Sequence, residues 1–239
     1  MLPAYNEALN LPSLLKRIAA AGGTSPAPRV LVIDDGSSDD TSAVARAAAG
    51  RLVVDVVRHD HNRGLAAAVK TGIREVCRRA ADDDTVVIMD ADDSHPPELV
   101  PVMVRQLDLG CQIVIASRFA PGGREVGVPW HRRFLSRAAS LIFRGIWRIR
   151  GIRDYTTGFR AYRANVLKRL WALHDERLIE TTGFSVMTEI LVKARPLRPR
   201  IAEVPLVLRY DLKRGSSKMR FMATIRDYAR LIRRTSFRM

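Results

Sequence analysis

Runs of β-branched and other apolar residues alternate along the first half of this chain with segments that have helical spacing. The apolar runs lie at 29–33, 52–57, 85–89 and 112–117. The segments before and between them predict helices over 9–20, 42–47, 65–79 and 97–109. A strand that reaches the next strand through a helix forms a parallel pair with it, because a crossover of this length returns the chain to the same edge of the sheet. The alternation therefore predicts an α/β fold with a mostly parallel central sheet flanked by helices.

The two ends of the chain depart from this pattern. Pro3-Ala4-Tyr5-Asn6-Glu7 is a polar loop before the first predicted helix, and no apolar run precedes it. We therefore expect the first strand of the sheet to be missing or truncated. Beyond a loop marked by Gly122-Gly123, the chain changes to basic amphipathic helices. With 239 residues and no low-complexity linker, the chain is expected to form a single domain over 1–239.

Acidic clusters follow two of the predicted strands. Asp90-Ala91-Asp92-Asp93 follows the run at 85–89, and Asp34-Asp35-Gly36-Ser37 follows the run at 29–33. The carboxyl ends of parallel strands meet at one edge of a sheet, so the two clusters could share a ligand. Clustered carboxylates repel each other, and a hard divalent cation shared with substrate phosphates would neutralise them. Within the first cluster, Asp93 is expected to be a solvated neighbour.

A structural role is the alternative for both clusters. Aspartate is common at the N-termini of helices, and Pro96-Pro97-Glu98 has the composition of a first helical turn. The second cluster could cap the next helix through Asp40 or Thr41 while Asp35 binds a ligand. A carboxylate beside a nucleotide accepts hydrogen bonds from a base or from a ribose hydroxyl.

The charge of the chain predicts an anionic partner. Lysine and arginine number 40 against 25 aspartates and glutamates, which gives a net charge of +15. Nucleic acid, a phosphorylated ligand and an acidic membrane face all fit this charge. Aromatic residues are only 6% of the chain and no nucleic-acid-binding motif is present, so a nucleic-acid partner is not expected. The sequence also lacks a P-loop and a G-x-G-x-x-G fingerprint, which argues against an NTPase and against a dinucleotide enzyme.

The sequence predicts a cytoplasmic protein with peripheral membrane contact. Two cysteines, Cys77 and Cys111, form neither a disulfide framework nor a metal-type spacing, which favours a reducing compartment. No signal peptide is evident, and no run nears the roughly 18 consecutive apolar residues that span a bilayer. Any membrane contact is therefore expected to be peripheral, at the cytoplasmic face.

Two segments place cations and apolar residues at helical spacing. The cations of the first are Arg133, Arg137, Arg144 and Arg148, and those of the second are Arg220, Arg226, Arg230 and Arg233. Apolar residues form the other faces, and Phe143 and Trp147 add bulk suited to a lipid interface. A helix packed on the sheet would show the same stripe, but the net charge favours contact with an anionic membrane surface.

Short motifs along the chain resemble those of family 2 glycosyltransferases of the GT-A fold. In order, they are Leu2-Pro3-Ala4-Tyr5-Asn6-Glu7, Ile33-Asp34-Asp35-Gly36-Ser37, Asn62-Arg63-Gly64-Leu65, Met89-Asp90-Ala91-Asp92 and Ser117-Arg118-Phe119. Further motifs look like the dolichyl-phosphate, or polyprenyl-phosphate, mannose synthase branch: 132–136, 154–163, Glu203-Val204-Pro205 and Ser217-Lys218-Met219. The resemblance covers Leu2 to Met219. It implies a nucleotide-sugar donor half over about 1–117 and an acceptor and membrane-surface half over about 118–239.

The resemblance also implies roles for individual residues. Donor-binding positions are Pro3, Tyr5, Glu7, Ile33, Asp35, Asp90, Ala91, Asp92, Arg118 and Lys218. Among these, the resemblance assigns the chemistry to Asp92, Arg118 and Lys218. Arg132 and Ser136 match the pair that grips the acceptor phosphate. Asp90 and Asp92 match the metal ligands, with Ser94 as a further candidate where relatives often carry glutamine.

The implied reaction is a metal-dependent, inverting transfer of a sugar onto a polyprenyl phosphate. The implied donor is GDP-mannose and the cofactor Mg²⁺ or Mn²⁺, while UDP-sugars such as UDP-glucose, with the same or another cell-envelope acceptor, stay open as alternatives. Some relatives carry an arginine six residues before the motif lysine, where this chain has Leu212, and Arg209, Lys213 or Arg214 could replace it. A non-catalytic scaffold is the remaining alternative, and the joint presence of the acidic, acceptor and lysine motifs argues against it.

Overall fold

A computed structural model describes residues 1–21, 28–48, 52–212 and 221–236 of the chain. The helices of the described part are α1 (Leu11–Ala21), α2 (Thr41–Ala47), α3 (Leu65–Arg79), α4 (Val100–Asp108), α5 (Trp130–Trp147), α6 (Ala164–His174), α7 (Val186–Lys193) and α8 (Phe221–Ser236). The strands there are β1 (Leu2–Ala4), β2 (Arg29–Asp34), β3 (Val53–Arg58), β4 (Thr85–Ile88), β5 (Ile113–Ser117), β6 (Arg124–Val126), β7 (Arg160–Arg163), β8 (Ile201–Pro205) and β9 (Val207–Arg209).

The predicted alternation of strands and helices in the first half is confirmed. Helix α3 has the predicted bounds, Leu65–Arg79. It begins after Gly64, whose φ of +91° is a conformation that other residues rarely adopt. The helix predicted over 97–109 consists of a 3₁₀ turn at Pro97–Leu99 followed directly by α4. The apolar runs and their spacing therefore locate these elements to within a few residues.

The expectation of a missing first strand is wrong. Leu2–Ala4 form β1, which pairs in parallel with Val32–Asp34 of β2. All three residues of β1 are buried. On its other side, the Met1 nitrogen donates to the Val87 carbonyl at 2.7 Å and the Met89 nitrogen donates to the Met1 carbonyl at 3.3 Å. A strand of three residues is too short to show as an apolar run, but it is covered by neighbours on both sides.

The sheet is parallel except for one inserted strand. β1, β2 and β3 form a parallel three-stranded part, and the bonds of Met1 join it to a second part in the order β4-β7-β5-β8. β5 and β8 are parallel, whereas β7 runs antiparallel to both β4 and β5. An antiparallel strand starts at the edge where its neighbours end. The loop before β7, which includes Asp154 and Thr156, therefore meets the carboxyl ends of β4 and β5.

Apolar side chains cover both faces of the sheet. Along β5, Ile113 and Ile115 pack into one cluster and Val114 and Ala116 into the other. This alternation follows the two-residue period of a strand, and burial on both faces explains why β5 is a continuous apolar run. Among the described residues, no helix combines the length and the apolar character needed to cross a bilayer.

The predicted interface role of Phe143 and Trp147 is wrong. Both side chains of α5 are 1% exposed and belong to a core cluster. The Phe143 ring lies 4.8 Å from that of Trp147 and 5.0 Å from that of Tyr228 on α8. They are the residues that fix α5 to α8 and to the sheet. The periodic stripe could not distinguish a face that packs inward from a face that meets lipid.

Candidate active site

The predicted site residues line one cavity at the carboxyl edge of the sheet. It measures about 920 Å³, within the range usual for small-molecule sites. Of the residues to which the resemblance assigned a role in the site, those lining it are Pro3, Tyr5, Glu7, Asp35, Asp90, Ala91, Asp92, Ser94, Arg118, Arg132 and Ser136. Ile33 lies in the core beneath it with no exposed surface and is not part of the lining. Lys218 lies outside the described residues, as do Lys213 and Arg214.

The first loop of the cavity is attached to the start of α2. The Glu7 amide donates to the Thr41 hydroxyl at 2.8 Å, and the Asn10 amide group donates to the Glu7 carboxylate at 2.6 Å. The Thr41 amide donates to Asp39 at 3.0 Å, whereas Asp40 makes no capping bond through its side chain. Hydrogen bonds thus join the two loops. Asp40 occupies the N-cap position of α2, but the side chain that accepts the first helical amide is that of Asp39.

Asp35 lies at the centre of a buried network. Its Oδ1 is 2.7 Å from Nδ1 of His59 and accepts the Arg63 amide at 3.0 Å, while Oδ2 accepts the Gly64 amide at 2.8 Å. Nε2 of His59 is in turn 2.9 Å from the Thr71 hydroxyl on α3. Asp35 therefore ties β2 to the loop that begins α3. His59 was not predicted from the sequence, although it follows β3 directly, at the same edge of the sheet.

Asp90 and Asp92 both border the cavity, and their surroundings differ. The Asp90 side chain is 36% exposed, whereas Asp92 is 7% exposed. Ser94 donates to Oδ1 of Asp92 from its hydroxyl at 2.6 Å and from its amide at 3.2 Å. The Ser94 hydroxyl proton therefore points at Asp92, which fixes the orientation of that carboxylate.

The expectation that Asp93 is a solvated neighbour is wrong. Asp93 is 7% exposed and accepts hydrogen bonds from the Ser13 hydroxyl at 2.7 Å and from Arg17 at 2.6 Å. Arg17 also forms two hydrogen bonds to Glu98. Asp93 has a φ of +61°, which places Asp92 and Asp93 on opposite sides of the turn. Asp93 thus anchors the acidic loop to α1 while its neighbours face the cavity.

His95, which no motif of the sequence indicated, also lines the cavity. It is 4% exposed and its ring stacks on Phe159 at 5.1 Å. Its Nδ1 accepts the Asp90 amide at 3.1 Å, so the ring proton is on Nε2, 3.9 Å from Oδ2 of Asp90. His95 therefore supports Asp90 through the hydrogen bond to its backbone amide. Its position five residues after Asp90 was the one feature of the sequence that could have indicated this contact.

The acidic loop fits a divalent cation that is shared with a ligand. Two carboxylates face the cavity, and carboxylate and phosphate oxygens are the ligands that Mg²⁺ and Mn²⁺ prefer. Over the described ranges, no group of three or more histidine, cysteine or acidic side chains forms a complete protein cage. Phosphate oxygens and water would have to supply the remaining ligands.

Arg118, which lines the cavity, pairs with the buried Asp154 in the wall behind it. Its guanidinium donates to Oδ2 at 2.8 Å and to Oδ1 at 2.7 Å, and Glu125 lies 3.3 Å away. Burial opposes both charges, but the Coulomb attraction and hydrogen bonds between the two groups outweigh it. The pKa of Arg118 is therefore raised and that of Asp154 lowered. The positive charge of Arg118 is largely balanced by these two carboxylates.

The predicted acceptor-phosphate residues lie next to this wall. Ser136 Oγ is 2.9 Å from the hydroxyl of Thr156, which also accepts from Arg118 at 2.7 Å. Arg132 donates to the Tyr210 hydroxyl at 2.6 Å, and its guanidinium lies 5.5 Å from the centre of that ring. Thr156 and Tyr210 were not singled out from the sequence, although Thr156 lies within a quoted motif.

Arg209, an expected substitute for the arginine absent at Leu212, is paired with Asp211 at 2.8 Å and is not among the cavity residues.

Comparison with known proteins identifies the family of the chain. Residues 1–171 match the model of glycosyl transferase family 2. A dolichol-phosphate mannosyltransferase of Pyrococcus furiosus is 34% identical over 236 residues, which are 98% of this chain and 62% of that protein. An undecaprenyl-phosphate mannosyltransferase of Micrococcus luteus is 37% identical over 223 residues, 92% of this chain and 86% of that protein. This chain thus spans less than two thirds of the Pyrococcus protein and most of the Micrococcus protein.

The solved structures show the fold. Glucosyl-3-phosphoglycerate synthase from Mycobacterium tuberculosis, in complex with Mn²⁺, UDP-glucose and phosphoglyceric acid, superposes with a TM-score of 0.68 at 21% identity. The match covers 98% of this chain and 76% of that one. A second complex of the same protein, with Mn²⁺, UDP and glucosyl-3-phosphoglycerate, gives a TM-score of 0.64. The chain has the GT-A fold and belongs to glycosyl transferase family 2.

Proposed function

We propose that this protein transfers a sugar from a nucleotide-sugar donor onto a polyprenyl phosphate. The observation that carries this proposal is the composition of the single cavity described above. Asp90 and Asp92 lie on one side of it, and Arg118, Arg132 and Ser136 supply donors for an anion elsewhere in its lining. A diphosphate leaving group bound through a divalent cation needs the carboxylates, and a phosphate acceptor needs the hydrogen-bond donors. The mannosyltransferase names of the relatives agree with this assignment.

The chemistry requires positioning more than proton transfer. A phosphate monoester of a polyprenol is already an anion and a competent nucleophile, so no general base is needed. Arg132 and Ser136 hold that phosphate by charge and hydrogen bonding, which aligns an oxygen with the anomeric carbon. A single displacement of this kind inverts the configuration at that carbon.

The donor side has to accommodate negative charge that grows on the leaving diphosphate. We assign Asp90 and Asp92 as ligands of Mg²⁺ or Mn²⁺, with Lys218 as a further cation for the diphosphate. When bound, the ion would supply electrostatic stabilisation to the leaving group. Ser94 donates to the Asp92 carboxylate, and His95 accepts the backbone amide of Asp90, so both residues hold the acidic loop in place. Mn²⁺ in the structures of the Mycobacterium tuberculosis protein supports a divalent metal requirement.

We propose GDP-mannose as the donor. The named relatives are mannosyltransferases at 34% to 37% identity over most of this chain. The structural likeness to a protein crystallised with UDP-glucose keeps UDP-sugars as the alternative. The loops of Tyr5, Glu7 and Asp35 would contact the nucleotide in either case.

A membrane-bound acceptor requires contact with a membrane, and we propose that α5 makes it at the cytoplasmic face. Residues at three- and four-residue steps form what we call the α5 outer face: Trp130, Phe134, Arg137, Leu141, Arg144 and Arg148. Trp130 is 79% exposed, Phe134 70% and Leu141 65%. Exposed aromatic and aliphatic side chains interleaved with arginines are typical of helices that lie on anionic lipid. The same helix carries Arg132 and Ser136 toward the cavity, so this orientation would bring the lipid phosphate to the site.

A donor panel tests this function. Purified protein is incubated with Mg²⁺ or Mn²⁺, a polyprenyl phosphate and each of GDP-mannose, UDP-glucose and related donors, and glycolipid is measured by mass spectrometry. We expect product from GDP-mannose. Product from a UDP-sugar alone would overturn the mannose assignment, and unchanged turnover in EDTA would overturn the metal assignment.

A further inference from the structure

The hydroxyl of Thr156 lies among three polar groups of the cavity wall. Its Oγ1 is 2.7 Å from Nη2 of Arg118, 2.9 Å from Oγ of Ser136 and 3.3 Å from Oδ1 of Asp154. Thr156 is half-buried and lines the cavity. The loop before β7 places it between the Arg118–Asp154 pair and the predicted acceptor-phosphate residue Ser136.

The direction of these hydrogen bonds follows from the chemistry of the partners. A guanidinium can only donate, so the Thr156 oxygen accepts from Arg118. The single proton of Thr156 then has two possible acceptors, Ser136 and Asp154. Oδ1 of Asp154 already accepts from Arg118 at 2.7 Å and from the amides of Thr156 and Thr157 at 3.1 Å each. Ser136 is also the nearer of the two acceptors.

We propose that Thr156 is a positioning residue that donates its proton to Ser136 and thereby directs the Ser136 proton at the acceptor phosphate. Phosphate oxygens are acceptors, so Ser136 can hold them only as a donor. If Ser136 instead donated to Thr156, its lone pairs would face the anion and repel it. Arg118 uses one of the two acceptor positions of the Thr156 oxygen. Because Oδ1 of Asp154 is farther away and already accepts three hydrogen bonds, the Thr156 proton goes to Ser136, and Ser136 then directs its own proton elsewhere. This inference rests on the proposed function, because it concerns the phosphate that Ser136 binds.

Substitution of Thr156 tests the inference through the two Michaelis constants. Thr156→Val keeps the shape of the side chain and removes the hydroxyl. We expect it to raise the KM for polyprenyl phosphate about tenfold, the usual effect of a hydrogen bond to a charged group. The KM for the nucleotide sugar should remain unchanged, because Ser136 is assigned to the acceptor phosphate and not to the donor. Thr156→Ser restores the hydroxyl and should restore the acceptor KM.

A double variant separates the proposed relay from general damage to the wall. Once Ser136→Ala has removed the directed hydroxyl, adding Thr156→Val should raise the acceptor KM no further. The matched control is Thr85→Val, whose hydroxyl also accepts from an arginine, Arg163, at 3.4 Å, but at the start of β4 and outside the cavity lining. An acceptor KM unchanged in Thr156→Val, or fully additive effects in the double variant, would overturn the inference.

Inorganic phosphate gives a second readout that needs no turnover. Calorimetric titration should show weaker phosphate binding to Thr156→Val than to wild type and to Thr156→Ser. If the wild type is active and all three proteins bind phosphate with equal affinity, the role of Thr156 is overturned, but the proposed function is not. Wild-type protein that neither binds phosphate nor forms glycolipid would overturn the proposed function, and this inference with it.

Discussion

Arg118 and Asp154 form a bidentate ion pair inside the protein, with hydrogen bonds of 2.8 Å and 2.7 Å between the guanidinium and the two carboxylate oxygens. The Asp154 side chain has no exposed surface and that of Arg118 is 11% exposed. The pair connects the end of β5 to the loop before β7. It therefore supports the wall against which Ser136 and Thr156 are arranged.

Loss of one partner should be costly for stability. Asp154→Asn removes the charge while keeping the shape, which leaves Arg118 buried beside Glu125 alone. We expect the free energy of unfolding to fall by about 3 kcal/mol or more, as for other broken buried pairs. Urea denaturation followed by circular dichroism measures this. Asp82→Asn, which alters an exposed pair with Lys168, is the control and should change it by less than about 1 kcal/mol. Equal effects of the two substitutions would contradict a buried, energetically important pair.

Acid should weaken the protein in a way that depends on Asp154. The pKa of this carboxyl is lowered from 3.8, because attraction to Arg118 and hydrogen bonds outweigh the cost of burial. Its contribution to stability is thus complete above about pH 3.8 and is lost as the pH falls through the lower, folded-state pKa. The difference in unfolding free energy between wild type and Asp154→Asn should shrink on acidification, by at most about 1.4 kcal/mol per pH unit. A difference that stays constant down to about pH 2 would show that Asp154 is not held in its charged form.

His95 should contribute to metal binding without being a ligand. His95→Phe keeps a ring that can stack on Phe159 and removes the acceptor of the Asp90 amide. We expect the affinity for Mn²⁺, measured by electron paramagnetic resonance, to fall about tenfold or more, as for other residues that orient metal ligands. His131→Phe, at an exposed position on α5, is the matched control. Unaltered Mn²⁺ affinity in His95→Phe would count against the support of Asp90.

The α5 outer face should determine binding to membranes. Replacing Phe134 by serine should reduce sedimentation with anionic liposomes several-fold at low salt, and high salt should release the wild type. Leu173→Ser on α6 is the matched control, because Leu173 is 58% exposed but lies on another surface. Wild-type protein that fails to bind at any salt concentration, or equal losses in the two variants, would contradict this orientation.

The elements that were predicted correctly from the sequence are apolar strands and helices whose apolar residues recur at helical spacing. The helix Leu65–Arg79 and the acidic loop after β4 were found because a buried strand and a helical period flank them. Strand β1 was missed because three residues carry no period of their own. Its place depends on β2 and on the contacts of Met1 with Val87 and Met89.

Other features depended on tertiary contacts that no local pattern records. The antiparallel direction of β7 brings Asp154 and Thr156 to the cavity, and four residues of alternating character do not specify that direction. Asp93 was predicted to be exposed because its partners, Ser13 and Arg17 on α1, are distant in the sequence. The helical spacing of Trp147 predicted contact with lipid. Its burial against Phe143 and Tyr155 comes from the packing of α5, which the spacing does not record.

The proposed function requires one cavity to hold a donor diphosphate at Asp90 and Asp92 and an acceptor phosphate at Arg132 and Ser136. The most direct test measures transfer of mannose from GDP-mannose to a polyprenyl phosphate by wild type, Asp92→Ala and Arg132→Met. We predict glycolipid from wild type, none from Asp92→Ala, and an Arg132→Met enzyme with a raised KM for the lipid phosphate but an unchanged KM for the donor. Equal activity of Asp92→Ala and wild type, or an Arg132→Met variant impaired only toward the nucleotide sugar, would contradict this account.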